Sequence, residues 1–147
     1  MSLIAEIEQE MRDAMRARDA ERRDALRLIL NSLKGAEKDL QRPLSDEESL
    51  QVLQRERKRR VEAAEAFRSG GREEQAQSEE RELEILEEFM PEPLSEEELE
   101  SIVDDAIAEN GATGMSDFGR VMKDVMPQVS GRADGSLVSQ LVREKLA

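Results

Sequence analysis

The sequence predicts an all-α protein, an N-terminal four-helix region followed by a small three-helix C-terminal domain. Three observations point there. Apolar residues recur at three- and four-residue spacing almost from end to end. They are mostly Leu, Ile, Val, Ala and Met, with aromatics only 2% of the chain, a mixture that suits helices better than strands. Capping and breaking residues recur between the apolar stripes. Charged residues reach 39%, which alone would suit a disordered chain; the sustained helical spacing argues against disorder.

Ser2 can cap a first helix with Leu3, Ile4, Ile7, Met11, Ala14 and Met15 on one face. The pattern restarts around Asp19. Leu26, Ile29, Leu30 and Leu33 mark a second helix that fades near Leu40, and Pro43 breaks the chain. Ser45 with Glu48 forms a capping box for a third helix, whose stripe reads Leu50, Leu53, Val61, Ala64 and Phe67, interrupted by Arg57. Gly70-Gly71 ends it. A fourth helix starts polar and ends apolar at Leu83, Ile85, Leu86, Phe89 and Met90. Its Glu-rich stretch, Glu73 to Glu88, reads as a solvated helix face.

Pro91-Glu92-Pro93 is the strong linker signal, because proline cannot continue a helix and biases its predecessor toward extended geometry. The predicted organisation is therefore residues 1–90, a linker at 91–94, and a tail domain at 95–147. A tail of about 55 residues lies near the lower limit for an independent core. Ser95 and Glu98 form a second capping box, before Leu99, Ile102, Val103, Ala106 and Ile107. That fifth helix stops at Asn110-Gly111. Ser116 is the expected cap of the sixth, which carries Phe118, Val121, Met122 and Val125 into Pro127. A Gly131-Arg132-Ala133-Asp134-Gly135 turn follows. Asp134 is the expected cap of the seventh helix, with Leu137, Val138, Leu141, Val142 and Leu146. No internal repeat at a fixed period is present.

The chain holds no Cys and no His, which excludes thiol catalysis, disulfides, Cys/His zinc sites and histidine general-base chemistry. No apolar run approaches the roughly 18 residues of a membrane span. The opening residues are acidic and amphipathic, unlike a signal peptide, so a cytoplasmic location with no membrane partner is the expectation. The net charge of −13 disfavours indiscriminate binding to polyanions; any RNA contact needs a confined basic surface.

Two basic features stand out. Arg55, Arg57, Lys58, Arg59 and Arg60 place five cations in six positions. At about 100° per residue they spread around the helix. They read either as a phosphate-contacting patch or as partners for acids such as Glu79, Glu80, Glu82 and Glu84. Arg132 sits in a glycine-flanked turn, where φ > 0 is available and the next helix offers backbone N–H groups to a phosphate. Equally, it reads as a solvated residue in a structural turn. Arg120, Lys123, Arg143 and Lys145 could extend a basic face. Gly111-Ala112-Thr113-Gly114 and Gly70-Gly71 lack the residues of a phosphate-cradling loop. Acids are too abundant for any pair to be singled out as acid and base. No cofactor and no metal ligand set is expected, and the methionines read as core packing.

Several segments carry a family resemblance. Arg27-Leu-Ile-Leu-Asn-Ser-Leu-Lys34, LEILEEFMPEPLSEEEL from Leu83 to Leu99, Gly119-Arg120-Val121-Met122 and Gly131 to Val138 together resemble the GatB/YqeY family over the whole chain. The first part resembles a free-standing YqeY-like protein. The tail also resembles the C-terminal domain of the B subunit of aspartyl/glutamyl-tRNA amidotransferase. Arg57 stands where an apolar residue is expected, and Ser139 where Asn is common.

The resemblance implies a tRNA-contacting accessory module associated with tRNA-dependent amidation, under the family-level label of carbon–nitrogen ligase with glutamine as amido-N-donor. In the amidotransferase, glutamine hydrolysis and amide transfer occur in other parts of the complex, so no catalytic residue is carried over. Arg120, Lys123, Arg132 and Arg143 are the expected tRNA-binding residues, with Arg55, Lys58, Arg59 and Arg60 as a second patch. Implied partners are tRNA and amidotransferase subunits. The rival expectation is an adaptor for a basic RNA-associated or ribosomal protein.

Overall fold

A computed structural model describes residues 2–147, and among these no strand occurs: the protein is all-α. The helices are α1 (Leu3–Arg16), α2 (Ala20–Leu40), α3 (Asp46–Ser69), α4 (Glu73–Glu87), α5 (Glu96–Glu109), α6 (Phe118–Val129) and α7 (Gly135–Leu146), with a 3₁₀ turn at Met115–Asp117. The chain divides into two compact units, one up to Met90 and one from Pro91 to Ala147.

In the first unit, α1 and α2 form one hairpin and α3 and α4 another, with α2 packing on all three other helices. Arg18 makes the first connection by adopting φ 57°, and the Asp19 side chain caps α2 through the Arg22 N–H. Gly71, at φ 76°, makes the second. Ile7, Leu26, Ile29, Leu33, Leu53 and Leu86 fill the core and are almost fully buried. Phe89 and Met90 lie beyond α4 yet pack against this core. Ion pairs tie helices together both within the first hairpin and between the two. Arg22 reaches Glu10 of α1 at 3.2 Å and Glu88, just past α4, at 2.7 Å. Arg81 of α4 meets Glu21 of α2 at 2.7 Å.

The buried face of α3 differs from the predicted stripe. Ser49, Val52, Leu53, Arg60 and Ala64 point inward, whereas Val61 is exposed and Arg57 only half-buried. Arg57 instead pairs with Glu87 at 3.6 Å. Met15 and Leu137, also expected inside, are exposed as well. These faces follow the position of each helix's neighbour, which spacing along one helix does not encode.

In the second unit, α5, α6 and α7 enclose Leu99, Val103, Val121, Val125, Val129, Val138 and Val142. Both capping boxes form, Ser45 with Glu48 and Ser95 with Glu98. Ser116 does not cap α6. It lies inside the 3₁₀ turn, and α6 begins after Asp117, whose side chain turns back to the Thr113 N–H at 3.0 Å.

Pro127 does not stop α6, which continues to Val129. Proline removes the hydrogen bond that the Lys123 carbonyl would have received. Both residues lie on the exposed face, where water can serve that carbonyl. Residues 91–94, read as a linker, are docked on this second unit: the Leu94 N–H donates to the Arg132 carbonyl at 2.9 Å and Leu94 packs against the core.

Candidate nucleic-acid interface

Valines at 121, 125 and 129 define the inner face of α6, so Arg120 and Lys123 fall on its solvent face. In α7, Val138, Val142 and Leu146 turn inward and leave Arg143 exposed. The intervening turn is built locally. Gly131 adopts φ 75°, a left-handed conformation that glycine takes without a Cβ penalty. The Arg132 and Ala133 N–H groups then both donate to the Val129 carbonyl, at 2.8 and 3.1 Å. Gly135 needs no such freedom: it is the first residue of α7.

Arg132 is braced on two sides. Its carbonyl accepts from Leu94, and its Nε donates to the Glu92 carbonyl at 3.1 Å. This fixes the root of the guanidinium, and among the described residues no acid pairs with it. The same holds for Lys123 and Arg143. Arg120 differs, since it is ion-paired to Asp117. The Thr113 N–H and then the Arg120 guanidinium hold the Asp117 carboxyl below its ordinary range.

Arg143 lies with its guanidinium carbon 5.1 Å from the centroid of the Phe118 ring, within cation–π range. That contact joins the end of α7 to the start of α6. The hairpin is therefore antiparallel, with Arg120 and Arg143 toward its open end and Arg132 at the closed end. At 12 residues, α6 is about 18 Å long. The four predicted cations thus form two contact points on one hairpin, with Lys123 between them.

The start of α7 is not the open anion site that its sequence suggested. The Asp134 carboxylate accepts from the Ser136 N–H at 3.0 Å and so places negative charge where a phosphate was expected.

The α3 cluster is dispersed. Arg60 is buried on α3, paired with Glu79 of α4 at 3.1 Å and with Glu82. Arg59 is exposed and bonded to Glu56 at 3.2 Å. Arg55 and Lys58 are exposed. Among the described residues no group of acids is arranged to hold a metal ion. Sequence reasoning missed the bracing of Arg132 by Glu92 and Leu94 and the contact of Arg143 with Phe118. Both contacts bring together residues distant in the chain, and no local motif marks them.

The profile of the Yqey-like protein family matches residues 4–146. The chain belongs to this family. This YqeY-like chain is also 47% identical over 57 residues to the E subunit of the Glutamyl-tRNA(Gln) amidotransferase of Thermococcus gammatolerans, covering 36% of the chain and 9% of that protein. The corresponding protein of Thermococcus sibiricus is 40% identical over 68 residues, covering 44% of the chain and 11% of its relative. The chain therefore spans about a tenth of the length of these two relatives. A longer match runs to the mitochondrial protein named Altered inheritance of mitochondria protein 41 of Pyrenophora tritici-repentis. It is 26% identical over 145 residues, 97% of the chain and 80% of that protein. No described helix is long and apolar enough to cross a membrane.

Proposed function

We propose that this YqeY-like chain is a tRNA-contacting accessory module associated with tRNA-dependent amidation. The observation that carries the reading is the braced Arg132 at the α6–α7 turn, with which no acid pairs among the described residues, on an otherwise acidic chain. Such a fork suits a phosphate. Lys123 and Arg143 add cations on the same hairpin, and Arg120 joins when its pair with Asp117 is exchanged for a phosphate. Contacts of this kind read RNA shape more than sequence. Arg55, Lys58 and Arg59 form a weaker second candidate; Arg60 is left out because its charge is already matched inside the fold.

Similarity to segments of the two archaeal Glutamyl-tRNA(Gln) amidotransferase proteins supports the choice of tRNA and of amidotransferase subunits as partners. Amide transfer itself is assigned to those partners. Pure chain incubated with glutamine, ATP and mischarged tRNA is accordingly expected to release no ammonia. A cytoplasmic location belongs to the same reading, and cell fractionation tests it against the mitochondrial location named for one relative. The binding test is a filter titration with total tRNA at low and moderate salt. Salt-sensitive binding supports the reading, and absence of binding at low salt rejects it.

A further inference from the structure

The face of the second unit formed by α5 and α7 has the opposite character to the basic hairpin. Helix α5 carries Glu96, Glu97, Glu98, Glu100, Asp104, Asp105 and Glu109 and no Lys or Arg. Between α5 and α7 runs an open groove of about 230 Å³, floored by Leu99, Leu137 and Leu141 and rimmed by Glu96, Glu100 and Glu144. That volume is below the roughly 300 Å³ of the smallest ordinary small-molecule sites, but it holds a few aliphatic side chains. Leu137 is 53% exposed although it lies one turn before Leu141 on α7. A large aliphatic side chain left open between acidic rims is a surface that a partner covers at a gain of roughly 25 cal/mol per Å².

We infer that this groove docks a basic amphipathic helix of a partner protein, with leucine-like side chains on the floor and Lys or Arg side chains against the rims. Charge decides the occupant. Glu96, Glu100 and Glu144 face the groove, and the cation bonded to this rim is Lys145, which meets Glu100 and Asp104 at 2.9 Å each. Gln140 donates to Glu144 at 3.2 Å without neutralising it. The rim therefore keeps net negative charge, which repels RNA and anionic lipid and attracts a cationic helix. Recognition follows the helix-in-groove pattern, with apolar anchors at three- and four-residue spacing. Its lining includes none of the cations proposed to meet tRNA, so the two activities are separable by substitution.

The experiment titrates the full chain, isotopically labelled for NMR, with a peptide of about 18 residues, long enough to approach helicity. The peptide carries leucines at three- and four-residue spacing and lysines elsewhere. Saturable shifts concentrated at Leu99, Leu137, Leu141 and Glu144 are expected. Leu137→Ser and the double variant Glu96→Lys/Glu144→Lys should each weaken binding at least about tenfold, or about 1.4 kcal/mol. The control Glu62→Lys/Glu65→Lys should change it less than about twofold, because rim charges act locally across a Debye length of about 8 Å at physiological salt. tRNA titrations should be unchanged by Leu137→Ser. Shifts spread over all acidic surfaces, or equal losses in the rim and control variants, overturn the inference by showing only charge attraction.

Discussion

Arg132 donates from Nε to the backbone carbonyl of Glu92 at 3.1 Å, so the segment before α5 braces a side chain of the α6–α7 turn. A guanidinium anchored at Nε keeps two terminal nitrogens in a fixed fork, a geometry lysine cannot supply.

Arg132→Ala is therefore expected to weaken tRNA binding across sequences and to lower the slope of log affinity against log salt by about 1. Arg132→Lys should keep the slope near that of the wild type and still bind more weakly, because the charge remains and the fork is lost. Filter titrations over a salt series separate the two effects. Equal affinity in all three proteins contradicts the role given to Arg132.

Arg60 and its partners make a different prediction, on stability. The Arg60 side chain is only 10% exposed and meets Glu79 at 3.1 Å and Glu82 beside it. Arg60→Ala strands two carboxylates in a half-buried setting and is expected to cost on the order of 3 kcal/mol, read as a lower urea midpoint. Arg55→Ala, at an exposed position, should change stability by less than about 0.5 kcal/mol. A wild-type midpoint in Arg60→Ala would refute the pairing.

Acid should loosen the α2–α3 connection. Two bonds from Arg42, at 2.7 and 2.8 Å, together with the Ser45 N–H at 3.0 Å, hold Glu48 down from 4.5 to about 2. A carboxyl with a depressed folded-state pKa contributes stability that is complete above its unfolded value and is lost as pH falls through the folded one. The contribution of Glu48 is thus present above pH 4.5 and disappears toward pH 2. An NMR titration of the Glu48 carboxyl should show its midpoint near 2, and Arg42→Ala should move that midpoint upward. A midpoint unmoved by Arg42→Ala counts against the assigned cause.

What the sequence made legible was local. Both capping boxes, the Asp134 cap and the Gly71 and Gly131 turns depend on residues within a few positions of each other, and each forms as read. The side of α3 that turns inward is not local. Spacing gave a stripe of Leu50, Leu53, Val61, Ala64 and Phe67 interrupted at Arg57; Leu53 and Ala64 are buried as read, but Ser49, Val52 and Arg60 join them while Val61 is exposed, with acids of α4 lying opposite Arg60. Ser116 was the cap the sequence suggested for α6, but it falls inside a 3₁₀ turn, and no side chain caps α6 at Asp117. The candidate interface was legible as a set of cations. Its division into two ends of a hairpin, and the carboxylate at the start of α7, required the fold.

The most direct test compares tRNA affinity at low salt for three full-length proteins: wild type, Lys123→Ala/Arg132→Ala/Arg143→Ala, and the control Lys34→Ala/Lys38→Ala. The hairpin variant is expected to lose at least about tenfold in affinity, or about 1.4 kcal/mol, while the control stays within about twofold. Indistinguishable affinity in the hairpin variant and the wild type would contradict the account.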